Sequence, residues 1–406
     1  EIPLRLVGSE MCIRDRFYLL IMSVKFILSN TFGFSADNMY RLIAKNVGNG
    51  RQIVIVPDKF SLAFERNILK KLGLTSTFDV DVTSFMRLAV KAMRGKNGKC
   101  LTPEGSVMLL KRAIDEVKND LAVYKDVDDV TFPREMYAVI TALRNSGVNA
   151  EDTFAVDDEK LKDVGIIYEK YLEILHKSFI DSTSRLEAFS AGIGDDFSDA
   201  DVYIFGFPDF TATQYEIIFR LFVHARNVTV GLIAPEDDAK NKRLYPSRAF
   251  KKLTSGLSDA NIAYDVTYAF VGLDNVKKQL SNLFSYAKLP SVETDGKVEI
   301  IEAKNIMDEM EYVAKNIRRA VIEQKLRYKD FAVVVPSSDD YENDVRNVFT
   351  RYDVPYFLDK KIPFSSAPQA RYILSAIRCA SDGFDFSDVN ALIKNPLFYK
   401  TNDGYE

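Results

Sequence analysis

At 406 residues the chain is longer than one hydrophobic core usually supports, so two or three packed domains are expected. Its 47% hydrophobic and 28% charged residues are typical of a globular protein and exclude a disordered chain. The formal net charge of -4 excludes the overall basic surface of many duplex-DNA binders, so a nucleic acid would have to bind at a local site.

The cysteines and histidines form no metal-binding or disulfide pattern. The three cysteines are scattered, and His176 and His224 lack the spacing of metal ligands. This excludes a zinc hydrolase or a disulfide framework and favours a reducing cytoplasm. The apolar run at 17–22 is too short to span a membrane, so no membrane partner is expected.

The two ends of the chain are interpreted separately from the rest. Residues 11–16 resemble one translated frame of a sequencing adapter, so residues 1–21 are predicted to be a non-native leader before a start at Met22. The last residues follow a helical pattern without a closing element. The chain is therefore expected to be truncated at both ends.

A first domain is predicted over residues 22–290, where strands alternate with helices. Apolar strands are predicted at residues 24–28, 52–56, 79–83, 201–205 and 227–233. This alternation is typical of an α/β fold with an open parallel sheet. Apolar residues at helical spacing predict a helical insertion over about 102–191 within this domain.

A second α/β domain is predicted over residues 291–406. Strands are expected at residues 298–303 and 331–335, and helices at residues 308–324, 341–352 and 368–381.

The loop after the first strand lies where nucleotide-binding enzymes hold phosphate. It lacks the G-x-x-x-x-G-K-[ST] pattern. Counted from Ser29, the lysine and hydroxyl positions hold Ser35 and Ala36; counted from Gly33, the lysine position holds Phe34. Without the lysine the terminal phosphates lose their nearest cation, so this degenerate nucleotide loop is predicted not to turn over ATP.

Three motifs occur in a fixed order along the first domain. They are Pro57-Asp58-Lys59-Phe60-Ser61, Ser84-Phe85-Met86-Arg87-Leu88 and Gly206-Phe207-Pro208-Asp209-Phe210-Thr211. In this order they resemble the Pro-Asp-Gln-x-[Ser/Thr]-Phe, Ser-Phe-x-Arg-Leu and Gly-Phe-x-x-Phe elements of the B subunits of bacterial AddAB and RexAB helicase-nucleases. Residues 309–317, 328–330 and 354–356 resemble the start of the second motor domain of UvrD-class helicases.

The resemblance implies a superfamily 1, UvrD-like parallel-sheet domain followed by the start of a second helicase-like α/β domain. It also implies a role in processing double-strand breaks, as the B subunit of a heterodimer with a motor-bearing A subunit. This part would bind single-stranded DNA and scan it for a Chi-type sequence. No cofactor is expected in this chain; an iron-sulfur cluster and Mg²⁺ would belong to a C-terminal nuclease domain outside it.

By the same resemblance, six residues are expected to contact DNA: Lys59, Ser61, Phe85, Arg87, Phe207 and Phe210. Aromatic rings stack on bases and cations hold the backbone in single-strand sites. The three phenylalanines also fit core positions beside strand ends, and that alternative stays open. Lys59 stands where the family has glutamine.

Two further departures from active motors concern ATP chemistry. The strand-end acidic pair is replaced by Phe205-Gly206-Phe207, and Pro336-Ser337 stand where an arginine is usual. Together with the degenerate loop, these departures predict an inactive motor. Two other functions remain open: an active superfamily 1 helicase with a divergent phosphate loop, and a scaffold for the A subunit that does not touch DNA.

Overall fold

The structure is a computed structural model that describes residues 23–73, 76, 79–93, 99–127, 129–234, 245–281, 296, 298–359, 364–381 and 383–399. The predicted leader at 1–21 lies outside these residues. The chain divides into two compact units, Glu1–Thr294 and Asp295–Glu406, and each is described by itself.

Eight strands lie in the first unit. In chain order they are β1 (Ser23–Ser29), β2 (Gln52–Ile55), β3 (Val80–Thr83), β4 (Lys99–Cys100), β5 (Phe179–Ile180), β6 (Asp201–Phe205), β7 (Asn227–Ile233) and β8 (Tyr264–Tyr268). Six of them form one parallel sheet in the order β3-β2-β6-β7-β1-β8, while β4 pairs only with β5.

The described helices of this unit surround the sheet or form the insertion. They are α1 (Phe32–Asn46), α2 (Asp58–Leu72), α3 (Phe85–Ala92), α4 (Pro103–Val117), α5 (Phe132–Ser146), α6 (Ala150–Phe154), α7 (Glu159–Ser178), α8 (Ser182–Ala191), α9 (Ala212–His224), α10 (Tyr245–Asp259) and α11 (Asn275–Ser281).

Alternate residues of each strand point to opposite faces of the sheet, and helices cover both faces. Phe26 and Ile204 belong to a core shared with α3, α8, α9 and α10. Ile27 and Phe205 belong to a second core, shared with α1 and α2. The α/β class and the parallel sheet predicted from the near-continuous apolar strands are confirmed.

Strand β8 was not predicted from the sequence; among the described strands it pairs with β1, at the edge of the sheet. Four of its five residues are exposed, so it lacks the apolar run that marked the central strands.

Helices α4 to α8 lie between β3 and β6. Helices α4 to α7 have a separate core around Leu110 and Tyr171, whereas Phe189 of α8 belongs to the core of the sheet. A buried ion pair joins three of these helices. Arg144 of α5 donates to Asp181 at 2.7 Å and to the Ser184 hydroxyl at 3.0 Å. The Tyr171 hydroxyl of α7 also donates to Asp181, at 2.9 Å.

The second unit contains helices α12 (Ile306–Gln324), α13 (Ser338–Arg351), α14 (Pro368–Ser381), α15 (Phe386–Ile393) and α16 (Pro396–Tyr399). Helices α12 and α13 pack through a small core that includes Met310 and Val348.

The strands predicted at 298–303 and 331–335 are wrong for this structure, because the described residues of the second unit form no strand. A strand needs a neighbour for its backbone hydrogen bonds, and neither segment has one there. Ile300 is 94% exposed and Val334 93%, although both lie in apolar runs. Apolar sequence alone therefore overestimated the sheet content of this unit.

Within the described ranges, no helix is both long and apolar enough to cross a membrane. The same part of the chain brings no histidine, cysteine or acidic side chains together as a possible metal site.

Candidate nucleic-acid interface

The candidate residues follow parallel strands that end at the same edge of the sheet. Strand β2 lies between β3 and β6, so the segments that follow these three strands are neighbours. We call residues 56–61, 84–88 and 206–211 together the carboxyl edge. Gly206 has φ +87°, and a Cβ there would lie 3.2 Å from the Pro57 ring, so a side chain at 206 would crowd the segment after β2.

Arg87 is held at this edge by hydrogen bonds that cross from β3 to β2. The Ser84 hydroxyl donates to Asp58 Oδ1 at 2.6 Å and accepts from the Arg87 backbone N–H at 3.3 Å. Arg87 Nε lies 3.5 Å from the same Asp58 oxygen, and the side chains of both residues are 61% exposed. The guanidinium is therefore open to solvent and oriented by a carboxylate.

Lys59 and Ser61 lie on the first turn of α2 but differ in exposure. Lys59 is exposed at the edge. Ser61 is only 3% exposed, and its hydroxyl donates to the Asp58 carbonyl at 2.9 Å. The expected contact of Ser61 with DNA stays a prediction that this structure does not favour, because the hydroxyl is buried and used within α2.

The three predicted phenylalanines pack together in one aromatic cluster. The ring centroids of Phe85 and Phe207 are 5.3 Å apart, and those of Phe207 and Phe210 are 5.4 Å apart. Phe85 is 3% exposed and Phe210 8%, whereas Phe207 is half-buried. Two of the three rings therefore occupy core positions, which was the alternative to DNA contact, and only Phe207 presents a surface to a base.

Local helix capping explains why Phe210 is buried. Thr211 caps α9, and its side chain and that of Gln214 make the two reciprocal bonds of a capping box. Phe210 precedes the cap and packs on Tyr215 at 5.4 Å, which is the hydrophobic staple of such an end. The Gly-Phe-x-x-Phe-Thr motif is thus largely a helix-start signal.

The degenerate nucleotide loop combines buried hydroxyls, open space at Gly33 and one long-range contact through Asn30. The hydroxyls of Ser29 and Ser35 are buried and make no hydrogen bond within the described part of the chain. Ala36 is 6% exposed, and a Cβ added at Gly33 would meet no atom within 4 Å. The Asn30 amide exchanges two hydrogen bonds with the backbone of Val271, at 2.8 and 3.0 Å.

Aromatic rings fill the space between this loop and the end of β6. Phe32 lies 5.1 Å from Phe205 and 5.2 Å from Phe60, measured between ring centroids. Phe205 is the strand-end residue where an active motor has a carboxylate, and it is 1% exposed.

Comparison with known proteins identifies the family of the chain. The family model described as "ADDB, N-terminal" matches residues 35–280, which is more than half of the chain and includes all six predicted DNA contacts. The chain belongs to this family. A second model, described as "UvrD-like helicase C-terminal domain", matches residues 263–403. The resemblance drawn from the motifs is therefore confirmed.

The most similar relatives share one name and differ in organism. The B subunit of the ATP-dependent helicase/deoxyribonuclease of Clostridium novyi (strain NT) is 28% identical over 405 residues, covering 93% of this chain and 36% of that protein. The protein of that name from Bacillus subtilis (strain 168) is 25% identical over 384 residues, covering 86% and 33%. The chain spans about a third of the length of these curated relatives.

A group of polar residues beside the aromatic cluster was not predicted from the sequence. The Tyr215 hydroxyl donates to Asp209 at 2.5 Å, and Lys252 Nζ of α10 lies 4.0 Å from the Tyr215 ring centroid. Burial lowers the pKa of Lys252. No local pattern pointed to this lysine, because a Lys-Lys pair on a helix usually marks a solvated face.

Proposed function

We propose that this chain is the N-terminal part of the B subunit of a DNA-break-processing helicase-nuclease, and that its carboxyl edge binds single-stranded DNA. The relatives are named as the B subunit of an ATP-dependent helicase/deoxyribonuclease, which supports a motor-bearing A subunit as the partner. The place of action is the reducing cytoplasm.

The observation that carries the DNA-binding proposal is the grouping of Lys59, Arg87 and Phe207. Exposed cations and a half-buried ring stand on neighbouring segments of one sheet edge. Single-stranded DNA is held by such pairs of cationic backbone contacts and base stacking. Phe85 supports the Phe207 ring from behind, at 5.3 Å, so that ring is fixed before a base arrives.

We also propose that the carboxyl edge recognises a Chi-type sequence in the bound single strand. Lys59 is an exposed residue of the segment after β2 and stands where the family has glutamine. Lysine only donates hydrogen bonds, whereas glutamine both donates and accepts. We therefore expect the base read beside Lys59 to present an acceptor, such as the N7 or O6 atom of guanine.

We further propose that this part does not hydrolyse ATP. The observation that supports this is the contact between Phe32 and Phe205, which puts two rings where phosphate and metal chemistry would need polar groups.

Fluorescence anisotropy with a labelled single strand tests the DNA-binding proposal. Arg87→Gln should reduce the magnitude of the log-log salt slope by about 0.7, because one phosphate contact is lost. Arg112→Gln is the matched control: Arg112 is an equally ion-paired, exposed arginine, but it lies on α4 in the insertion. Equal slopes for the parent and both variants would contradict the proposal and favour a scaffold without DNA contact.

A further inference from the structure

The aromatic cluster extends past Phe210 to Tyr215, and so from the start of α3 to α9. Ring centroids are 5.3 Å apart for Phe85 and Phe207, and 5.4 Å apart both for Phe207 and Phe210 and for Phe210 and Tyr215. Arg87 follows Phe85 on the first turn of α3. At the other end, Lys252 covers the Tyr215 ring at 4.0 Å.

A second cation, Arg248, lies on the same helix as Lys252. Arg248 lies four residues earlier on α10, so the two side chains share one face of the helix. Both are exposed. Burial has the largest effect on the lowered pKa of Lys252, and the charge of Arg248 lowers it further.

Among the described residues, the carboxylate that acts on the Lys252 charge is that of Asp209, and it is already engaged. Asp209 Oδ1 accepts from the Tyr215 hydroxyl at 2.5 Å and from the Phe210 backbone N–H at 2.9 Å. Asp209 opposes the lowering of the Lys252 pKa. Counted over the described residues, Arg248 and Lys252 stand against the single carboxylate of Asp209, in a chain whose net charge is -4.

We propose that Arg248 and Lys252 form a second phosphate-binding site, which holds the backbone of the same single strand beyond the base that meets Phe207. This inference rests on the proposed function. A strand that passes over Phe207 can meet Arg87 of α3 as well as Arg248 and Lys252 of α10. The half-buried Phe207 ring suits a stacked base, which separates this site from one for an acidic peptide.

The test is anisotropy of a fluorescein-labelled oligothymidylate bound to the full 406-residue chain across a potassium chloride titration. Lys252→Gln and Arg248→Gln should each reduce the magnitude of the log-log salt slope by about 0.7, and the double variant by about twice that. Lys252→Arg should keep the parent slope. Lys251→Gln is the control, because Lys251 is an exposed lysine next to Lys252 on the same helix.

The outcomes separate this inference from the proposed function. If Arg87→Gln lowers the slope while the Arg248 and Lys252 variants match the parent, the second site is overturned and the carboxyl edge stands. If Lys252→Gln lowers the melting temperature but keeps the slope, Lys252 only packs on Tyr215, and the second site is again overturned. If the parent binds no oligothymidylate, both proposals fall.

Discussion

Ser84 donates a 2.6 Å hydrogen bond to Asp58, and this bond ties the end of β3 to the start of α2. The same Asp58 oxygen lies 3.5 Å from Arg87 Nε. A carboxylate therefore stands beside the cation that we propose for DNA phosphate, so it both orients Arg87 and competes with the phosphate for it.

Asp58→Asn should tighten binding of single-stranded DNA by up to about fivefold, because an exposed ion pair is worth about 0.2–1 kcal/mol and its loss frees Arg87 for phosphate. The amide oxygen still accepts from Ser84. Anisotropy titrations of parent and variant measure the change. Asp81→Asn is the control, since Asp81 pairs with Lys91 at the far end of α3. Weaker binding by Asp58→Asn would show that the carboxylate mainly positions Arg87.

Alanine substitutions at Phe207 and Phe210 should have different effects: the first on DNA binding, the second on the stability of the fold. Phe207→Ala should weaken binding by about 1–3 kcal/mol, because the half-buried ring offers a face to a base. Phe210→Ala should instead lower the free energy of unfolding by about 3–5 kcal/mol, because that ring is 8% exposed within the core. Thermal melting and anisotropy well below the melting temperature measure both effects.

The opposite pattern would contradict this assignment. A Phe207→Ala chain that binds like the parent removes the stacking contact from the proposal. A Phe210→Ala chain that melts like the parent would mean that Phe210 is not the staple of α9. Phe210→Leu is the conservative variant, since it keeps an apolar side chain beside Tyr215.

Sequence predicted the sheet well, because central parallel strands are buried on both faces and their apolar runs are distinctive. Strand β6, for example, is buried at all five residues. It predicted β8 and the second unit poorly. Strand β8 is an exposed edge strand without an apolar run, and the run at 331–335 has no pairing partner among the described residues.

The candidate site was predicted as a place but not residue by residue. Parallel topology put Lys59, Arg87 and Phe207 at one edge, which is what the strand ends require. The motifs did not show which of their residues are buried. Phe210 is buried because it packs on Tyr215 at the start of α9, and the Ser61 hydroxyl bonds to the backbone in the first turn of α2. Lys252 reaches Tyr215 only through the packing of α10 on α9, which no local pattern encodes.

We expect no DNA-stimulated phosphate release from the chain. No lysine stands in the loop after β1, and the end of β6 carries Phe205 packed on Phe32. A malachite-green assay with single-stranded DNA present measures the rate. A DNA-stimulated rate within about 1–1000 per second would contradict the expectation. Ser35→Ala is the control for contamination, because a background rate from another enzyme does not change with it.

The buried pair of Arg144 and Asp181 should make the insertion sensitive to acid. Burial acts to raise the pKa of Asp181, but Arg144, the Ser184 backbone N–H and the Tyr171 hydroxyl outweigh it, and the pKa is lowered. A lowered folded-state pKa contributes stability that is present above the unfolded value of about 3.9 and is lost as the pH falls through the folded value. The parent should therefore melt at lower temperature below about pH 4.

Replacing Arg144 should change how the stability of the insertion depends on pH. In Arg144→Gln the burial of Asp181 is no longer opposed by Arg144, so its pKa rises and a charged carboxylate is left unpaired at neutral pH. Breaking a buried pair in this way costs about 3–5 kcal/mol. As the pH falls and Asp181 takes up a proton, the variant should regain part of this loss, so its stability relative to the parent should rise in acid.

Thermal melts of both chains between neutral and acidic pH decide the matter. Glu187 also contacts Arg144, at 3.0 Å, but its side chain is 44% exposed, so Arg144→Gln combined with Asp181→Asn identifies the responsible carboxylate. The double variant should be more stable than Arg144→Gln at neutral pH and should lose the acid recovery. A constant difference between Arg144→Gln and the parent at every pH would show that Asp181 does not titrate in response to Arg144.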